Sequence, residues 1–294
     1  MDNFELINKP CNEIKKELLF FENELKKIIN DNHNFLTEDL NAFLFTNPKR
    51  LRPRFIFLFS KLLKINSNLI TDIALVTELI HCASLIHDDI LDDDKTRRKL
   101  PTLHAKYDSK IAVLAGDFLL SLALEKLSFT NLKTTQIFSQ KIKKTIQGEI
   151  SQNESINKIA DFDSYIKKTF DKTGNLFLAG IESLFTIQEI DKNLKENIVN
   201  FMTNFSIAFQ IKNDIDNFKT NISDYKNGNY TLPMIYFECE KTSNGDNLLN
   251  CIEKYSKKAF EKVEFYQNKA IEFLKEINNA EQIIELSKIV LRSY

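Results

Sequence analysis

At 294 residues, 43% of them hydrophobic, the chain carries enough apolar mass for a sizeable core, which excludes an intrinsically disordered segment. Its formal charge of -1 offers no basic field for nucleic acid and no acidic solvating tail. Six glycines and five prolines are too few for the repeated turns of a sandwich or barrel, so the composition points to an all-α chain.

Helical periodicity begins at Glu13 and runs to Asn30, with Ile14, Leu18, Phe21, Leu25 and Ile28 recurring at steps of three and four. Further helices are predicted from Leu36 to Phe45, Arg54 to Lys64, Leu69 to Asp92, Ser109 to Leu127 and Thr134 to Gln152. The series continues from Phe162 to Leu184, Leu194 to Phe218, Leu232 to Glu240, Asn247 to Glu276 and Ala280 to Leu291. Breaks are predicted at Pro48 and Pro53, across Asp93 to Pro101, at Gly228 and around Ser243 to Asp246. None is long enough for a flexible linker, and no repeat is evident, so one domain over residues 1–294 is expected.

The amino terminus lacks the basic start and apolar stretch of a secretory signal, and no window of 18 or more apolar residues is expected to span a membrane. Ile111 to Leu124, the densest apolar stretch, carries Asp117 and reads as a buried helix. Cys11, Cys82, Cys239 and Cys251 lie far apart without metal or disulfide spacing, which suits reduced thiols and a cytoplasmic setting. Of forty basic residues only six are arginine, and five of these fall in two clusters: Arg50, Arg52 and Arg54, then Arg97 and Arg98. In a lysine-biased sequence, that clustering marks places where a planar fork must grip carboxylate or phosphate.

The strongest local signal is HDDILDDDKTRRKLPT, His87 to Thr102. On a helix Asp88 and Asp92 share one face a turn apart, with Asp89 at its edge. Oxygen-only ligands of this kind suit Mg2+, which takes one or two carboxylates and completes its shell with water and substrate phosphate. The plain alternative is a solvated acidic helix end. It is weakened because a helix C-terminus favours cations, so clustered aspartates there ask for a counter-ion.

Arg97 and Arg98 follow after a short loop and could hold two different diphosphates. Upstream, Lys49 and Arg52 stand at a helix break beside amide groups that also favour anions. His81, seven residues before Asp88, faces the same way two turns deeper; His87 and His104 read as structural.

These strings resemble the trans-polyprenyl diphosphate synthases. The resemblance runs from about Lys49 to Pro233 through KRLRP, ELIHCASLIHDDILD, TRRKLPT, AVLAGDFLL, QGEISQ, KTGNLF, FQIKNDIDNF and NGNYTLP. It implies an isoprenoid synthase fold, a bundle of long helices around a central cavity. It also implies a transferase that condenses isopentenyl diphosphate with an allylic prenyl diphosphate, releasing diphosphate.

By the same resemblance, Asp88, Asp92 and Asp214 bind magnesium, and Arg97, Lys172 and Thr173 hold the allylic diphosphate. Lys49, Arg52, His81 and Arg98 hold isopentenyl diphosphate, and Gln210 lines the opposite wall with Asp214. Asp88, Asp92, Lys172 and Arg97 are the expected catalytic set. Ala83 and Ser84 are small where a growing tail descends, which implies products longer than fifteen carbons; ordinary close helix packing would also explain them. A homodimer is expected, with a heteromer as the other possibility.

The chain departs from the family pattern in three places. The second aspartate-rich motif, DDxxD, reads NDIDN from Asn213 to Asn217, with Lys212 beside it and Asp216 turned to another face. The following glycine-lysine pair is Gly228-Asn229, and the first arginine motif ends in Lys99 rather than glycine. Weaker binding of a third metal is expected, and the alternative function is an attenuated or regulatory subunit of a heteromeric synthase. A terpene cyclase is disfavoured: Asn217 and Asn221 stand where that class needs a hydroxyl and an acid, and it has no use for a second diphosphate pocket.

Overall fold

The computed structural model describes residues 3–154, 158–220, 225, 228–241 and 248–292. The predicted break at Ser243 to Asp246, together with Asn221 and Asn227, lies outside the described residues. Residues group into two compact units: Met1–Ile137 with Gly180–Glu189, and Phe138–Ala179 with Ile190–Tyr294.

In the first unit, α1 (Asn3–Asn8) passes through a 3-10 segment (Lys9–Ile14) into α2 (Lys15–Asp31). Phe21, Leu25 and Ile29, spaced by four, are the fully buried stripe of α2. α3 (Thr37–Phe45) and α4 (Leu51–Leu62) follow. Pro53 does not break the chain as predicted; it sits in the first turn of α4, where a missing amide hydrogen costs no helical bond.

α5 (Leu69–Leu91) packs along α4 and α7 (Ser109–Ser128). Contrary to the expectation of no membrane-length apolar window, α5 is long and apolar enough to cross a membrane by length and composition alone. Ile73 to Leu79 are wholly buried among these neighbours, so its apolarity is that of a core helix. Asp108 caps α7 by accepting the Ile111 amide at 2.8 Å.

Between α5 and α7 the chain forms a hairpin, β1 (Thr96–Arg97) against β2 (Leu100–Pro101), and a single turn, α6 (Leu103–Lys106). Apart from this hairpin the described residues are helical or irregular, in keeping with the all-α expectation.

The second unit holds most of α8 (Leu132–Glu154), then α9 (Phe162–Thr169), a π-helical turn (Phe170–Gly174) and the start of α10 (Asn175–Leu184). The sequence reads Phe162 to Leu184 as one continuous helix, and the π turn is the correction. α11 (Lys192–Thr220) packs along α13 (Ile252–Leu274), with α12 (Leu232–Glu240) and α14 (Glu281–Leu291) beside them. Phe177 meets Phe205 and Phe209 edge-on at centroid distances of 5.7 and 6.0 Å, which seats the chain after the π turn against α11. Gly228, with φ of 73°, makes the predicted break before α12.

Candidate active site

The acidic part of the first unit stands at the end of α5. The Asp92 amide donates to the Asp88 carbonyl over 2.8 Å, so the two residues are one turn apart as the spacing predicts. Asp88 is half-buried and Asp92 exposed.

Asp89, one position round the helix at the edge of this face, is turned to a protein partner. It is only 2% exposed and accepts from Arg97 Nε at 2.5 Å. Burial pushes its carboxyl pKa up, and the adjoining guanidinium opposes that rise. Arg97 is thus fixed beside the Asp88–Asp92 turn by a charge-assisted bond.

The hairpin separates the two neighbouring arginines. Its central residues, Arg98 and Lys99, have φ of 51° and 68°, the left-handed pair that a two-residue hairpin turn requires. Arg97 lies on β1, whereas Arg98 Nη1 reaches the Thr46 carbonyl at 3.2 Å and the Phe43 carbonyl at 3.4 Å. Those carbonyls close the C-terminal end of α3, where positive charge is favoured.

A basic corner surrounds His81. Arg50, itself in the left-handed region with φ of 49°, is buried and forks onto Glu22 at 2.8 and 3.0 Å. It also donates to Glu78 at 2.8 Å and to the Leu44 carbonyl. This tie fixes the backbone between Lys49 and Arg52. Lys49 is exposed, and its carbonyl accepts from Arg54 Nε at 2.9 Å.

Desolvation lowers the Arg52 pKa to about 10, which leaves it charged at neutral pH. His81 is held well below its ordinary range, first by burial and then by the charges of Arg52, Arg98, Arg97 and Arg50. The charges of Arg52 and Arg98, grouped with His81 in the sequence reading, thus both bear on it. Ser84 Oγ donates to the His81 carbonyl at 2.8 Å, and Ala83 is fully buried.

In the second unit, Lys172 and Thr173 lie in the π turn, a device that often marks functional positions. Lys172 Nζ is 3.4 Å from Glu149 of α8. The approach depends on Gly148, since a Cβ there would stand 2.9 Å from the Asp171 Cβ.

Thr173 Oγ1 donates to Gln210 Oε1 at 2.6 Å, and Gln210 Nε2 donates to Asp214 Oδ1 at 2.7 Å. Tyr165 Oη donates to Asp214 Oδ2 at 2.6 Å, completing a chain across α9, the π turn and α11. Burial raises the Asp214 pKa to about 6, against the pull of these bonds and of the charges on Lys168 and Lys172. Lys212 turns onto Asp216 at 2.6 Å, which places Asp216 on another face, as the motif reading expects.

Sequence reasoning missed Asp89 as the anchor of Arg97, Glu149 as the partner of Lys172, and Tyr165 as the partner of Asp214. Glu149 lies inside QGEISQ and could have been flagged there. The others depend on contacts that sequence spacing does not reveal.

Among the described residues no three His, Cys, Asp or Glu side chains converge to cage a metal. An ion at Asp88 and Asp92 must therefore draw most of its shell from water or substrate oxygens. Two carboxylates one turn apart fit magnesium used in that way. A helix end, unfavourable to anions by itself, adds to the demand for a cation there.

A prenyl transferase of Cyanidium caldarium is 30% identical, with 98% of each chain covered. The chloroplastic solanesyl-diphosphate synthase 2 of Oryza sativa subsp. japonica is also 30% identical, over 76% of this chain and 59% of that one. The fold is similar to polyprenyl synthase from Caulobacter crescentus CB15, solved in complex with calcium and isoprenyl diphosphate. There the TM-score is 0.86 at 20% identity, covering 98% of each chain. With the Polyprenyl synthetase profile matching residues 33–269, across both the aspartate-bearing end of α5 and the Gln210–Asp214 stretch of α11, the chain belongs to that family.

Proposed function

We propose that the chain is a magnesium-dependent polyprenyl diphosphate synthase, which joins isopentenyl diphosphate to an allylic prenyl diphosphate and releases diphosphate. The observation that carries this reading is the end of α5: Asp88 and Asp92 one turn apart, with Arg97 clamped alongside by Asp89. Asp88 and Asp92 hold magnesium on the allylic diphosphate. When bound, the metal neutralises oxygens that gain charge as the carbon–oxygen bond breaks.

Arg97 adds a fixed positive charge on the same side, already oriented before substrate arrives. Arg52 and Arg98 bind the isopentenyl diphosphate, and His81 contributes a neutral imidazole that can donate one hydrogen bond. Lys49 reaches the same group from the exposed approach to α4. In the second unit, Lys172 binds diphosphate oxygens, and Thr173 binds them by turning its hydroxyl hydrogen from Gln210 Oε1 to the substrate. Asp214 is that unit's metal-binding carboxylate, poised by Tyr165 and Gln210.

The small side chains of Ala83 and Ser84 support products longer than fifteen carbons, as do the names of the relatives. The apolar face of α7, with Leu114 and Leu124 61% and 62% exposed, supports a homodimer.

The test is elongation of farnesyl diphosphate by the purified chain with isopentenyl diphosphate and magnesium, with product length read by chromatography. Products longer than fifteen carbons are expected, and Asp88→Ala or Asp92→Ala should lower turnover at least about a hundredfold. No magnesium-dependent elongation, or intact turnover in both variants, removes the proposal.

A further inference from the structure

α5 ends at Asp92, and the direction of that side chain depends on how the helix is capped. The Asp93 amide donates to the Ile90 carbonyl at 3.4 Å and the Asp94 amide to the Asp89 carbonyl at 3.0 Å. This pair of bonds closes a helix when the first residue past its end is left-handed. Asp93 is that residue, with φ of 53°. Glycine adopts the conformation freely and aspartate less so, which leaves the cap in need of support from outside α5.

The support comes from the chain that follows the hairpin. Thr102, only 1% exposed, donates its hydroxyl hydrogen to the Asp94 carbonyl at 2.7 Å and its amide hydrogen to the Lys95 carbonyl at 3.1 Å. With that hydroxyl hydrogen committed, Thr102 Oγ1 accepts in its 3.1 Å bond with His104, and the ring donates from Nδ1. The other ring nitrogen, Nε2, stands 3.5 Å from Asp93 Oδ1, and the imidazole is only 6% exposed. Lys95 Nζ holds the same carboxylate oxygen from 2.5 Å. His104 therefore reaches both residues past the helix end, Asp93 across a short gap and Asp94 through Thr102.

We infer that His104 is a positioning residue for the magnesium-binding turn: it locks the Thr102 hydroxyl onto the Asp94 carbonyl and so holds Asp92 at its angle to Asp88. The inference rests on the proposed function and deepens it, by naming what keeps the two carboxylates on one face in advance of the ion. Without the ring, the Thr102 hydroxyl can rotate away from Asp94, and the cap loses the bond that closes it from outside. Partners one step removed from a metal act in this way, by fixing the groups that touch it.

Calorimetric titration of the full chain with inorganic pyrophosphate at graded magnesium concentrations tests this. His104→Leu should raise the magnesium concentration needed for half-maximal pyrophosphate binding by at least about tenfold. Saturating magnesium should recover the lost affinity, and the thermal melt without magnesium should match that of the unaltered chain. His104→Asn, whose amide nitrogen can take the place of Nδ1, should restore most of the magnesium response. Thr102→Val should reproduce the effect of His104→Leu, and Thr102→Ser, which keeps the hydroxyl, should not.

An unchanged magnesium midpoint in His104→Leu or in Thr102→Val overturns the inference while leaving the proposed function standing. So does a deficit that saturating magnesium does not lift, or a loss in His104→Asn as deep as in His104→Leu. Absence of a cooperative melt in both His104→Leu and Thr102→Val overturns it as well, because the network would then hold the fold rather than the turn. Failure of the unaltered chain to bind pyrophosphate with magnesium removes the functional reading itself, and this inference with it.

Discussion

His81 shows how a single side chain takes its state from its surroundings. Burial is the largest influence, followed by four nearby guanidinium groups, and every one of them disfavours the imidazolium. The unfolded chain takes up a proton near pH 6.5, whereas the folded chain does so only well below it. The histidine therefore costs no stability above that pH and a growing amount beneath it, at up to about 1.4 kcal/mol per pH unit. Replacing His81 with Asn should flatten that part of the stability curve. Denaturant melts of both proteins from about pH 7 down to about pH 5 measure it, and parallel curves would refute the assignment. The sequence alone placed His81 on the face of Asp88 but gave no sign of its protonation, because the arginines responsible lie on other elements. The burial of Asp89 was hidden for a similar reason: its partner is Arg97, eight residues on, in a hairpin that periodicity does not reveal.

At the scale of elements, the Arg98–Lys99 turn carries a specific strain. Lys99 holds φ of 68°, a conformation that costs an L-residue about 1–2 kcal/mol and glycine almost nothing. Lys99→Gly should therefore raise stability by up to about 1 kcal/mol, once the greater freedom of glycine in the unfolded chain is subtracted. Chemical denaturation is the measurement, and a loss of stability would show that the turn is not strained at this position. The long helices were legible because their apolar residues recur at helical steps. The hairpin, α6 and the π turn were not. Each is a few residues long, too short to develop a period, and each owes its form to contacts with neighbouring elements.

For the molecule as a whole, the sequence named candidate residues in each unit more completely than their wiring. Asp88 and Asp92 were legible from their spacing and Arg52 and Arg98 from the arginine clusters, whereas Thr173, Gln210 and Asp214 came from the family resemblance. The bonds that orient them were not legible, since Tyr165 and Asp214 are 49 residues apart and Thr173 and Gln210 are 37. Assembly can be tested on α7. If its exposed apolar face is the dimer contact, Leu114→Glu with Leu124→Glu should shift the sedimentation coefficient toward that of a monomer at micromolar concentration. An unchanged coefficient would place the contact elsewhere. The π turn has a consequence for altering the length of the chain. It amounts to one extra residue wound into a helix, so removing a residue within Phe170–Gly174 would let the ladder close as an ordinary α-helix and leave all that follows in nearly its present rotation, because the wider turn already absorbs the extra residue. Phe177 would keep its aromatic neighbours on α11, whereas Lys172 and Thr173, inside the turn, would lose their present directions, so a one-residue deletion here would separate the seating of α10 from the placement of these two side chains.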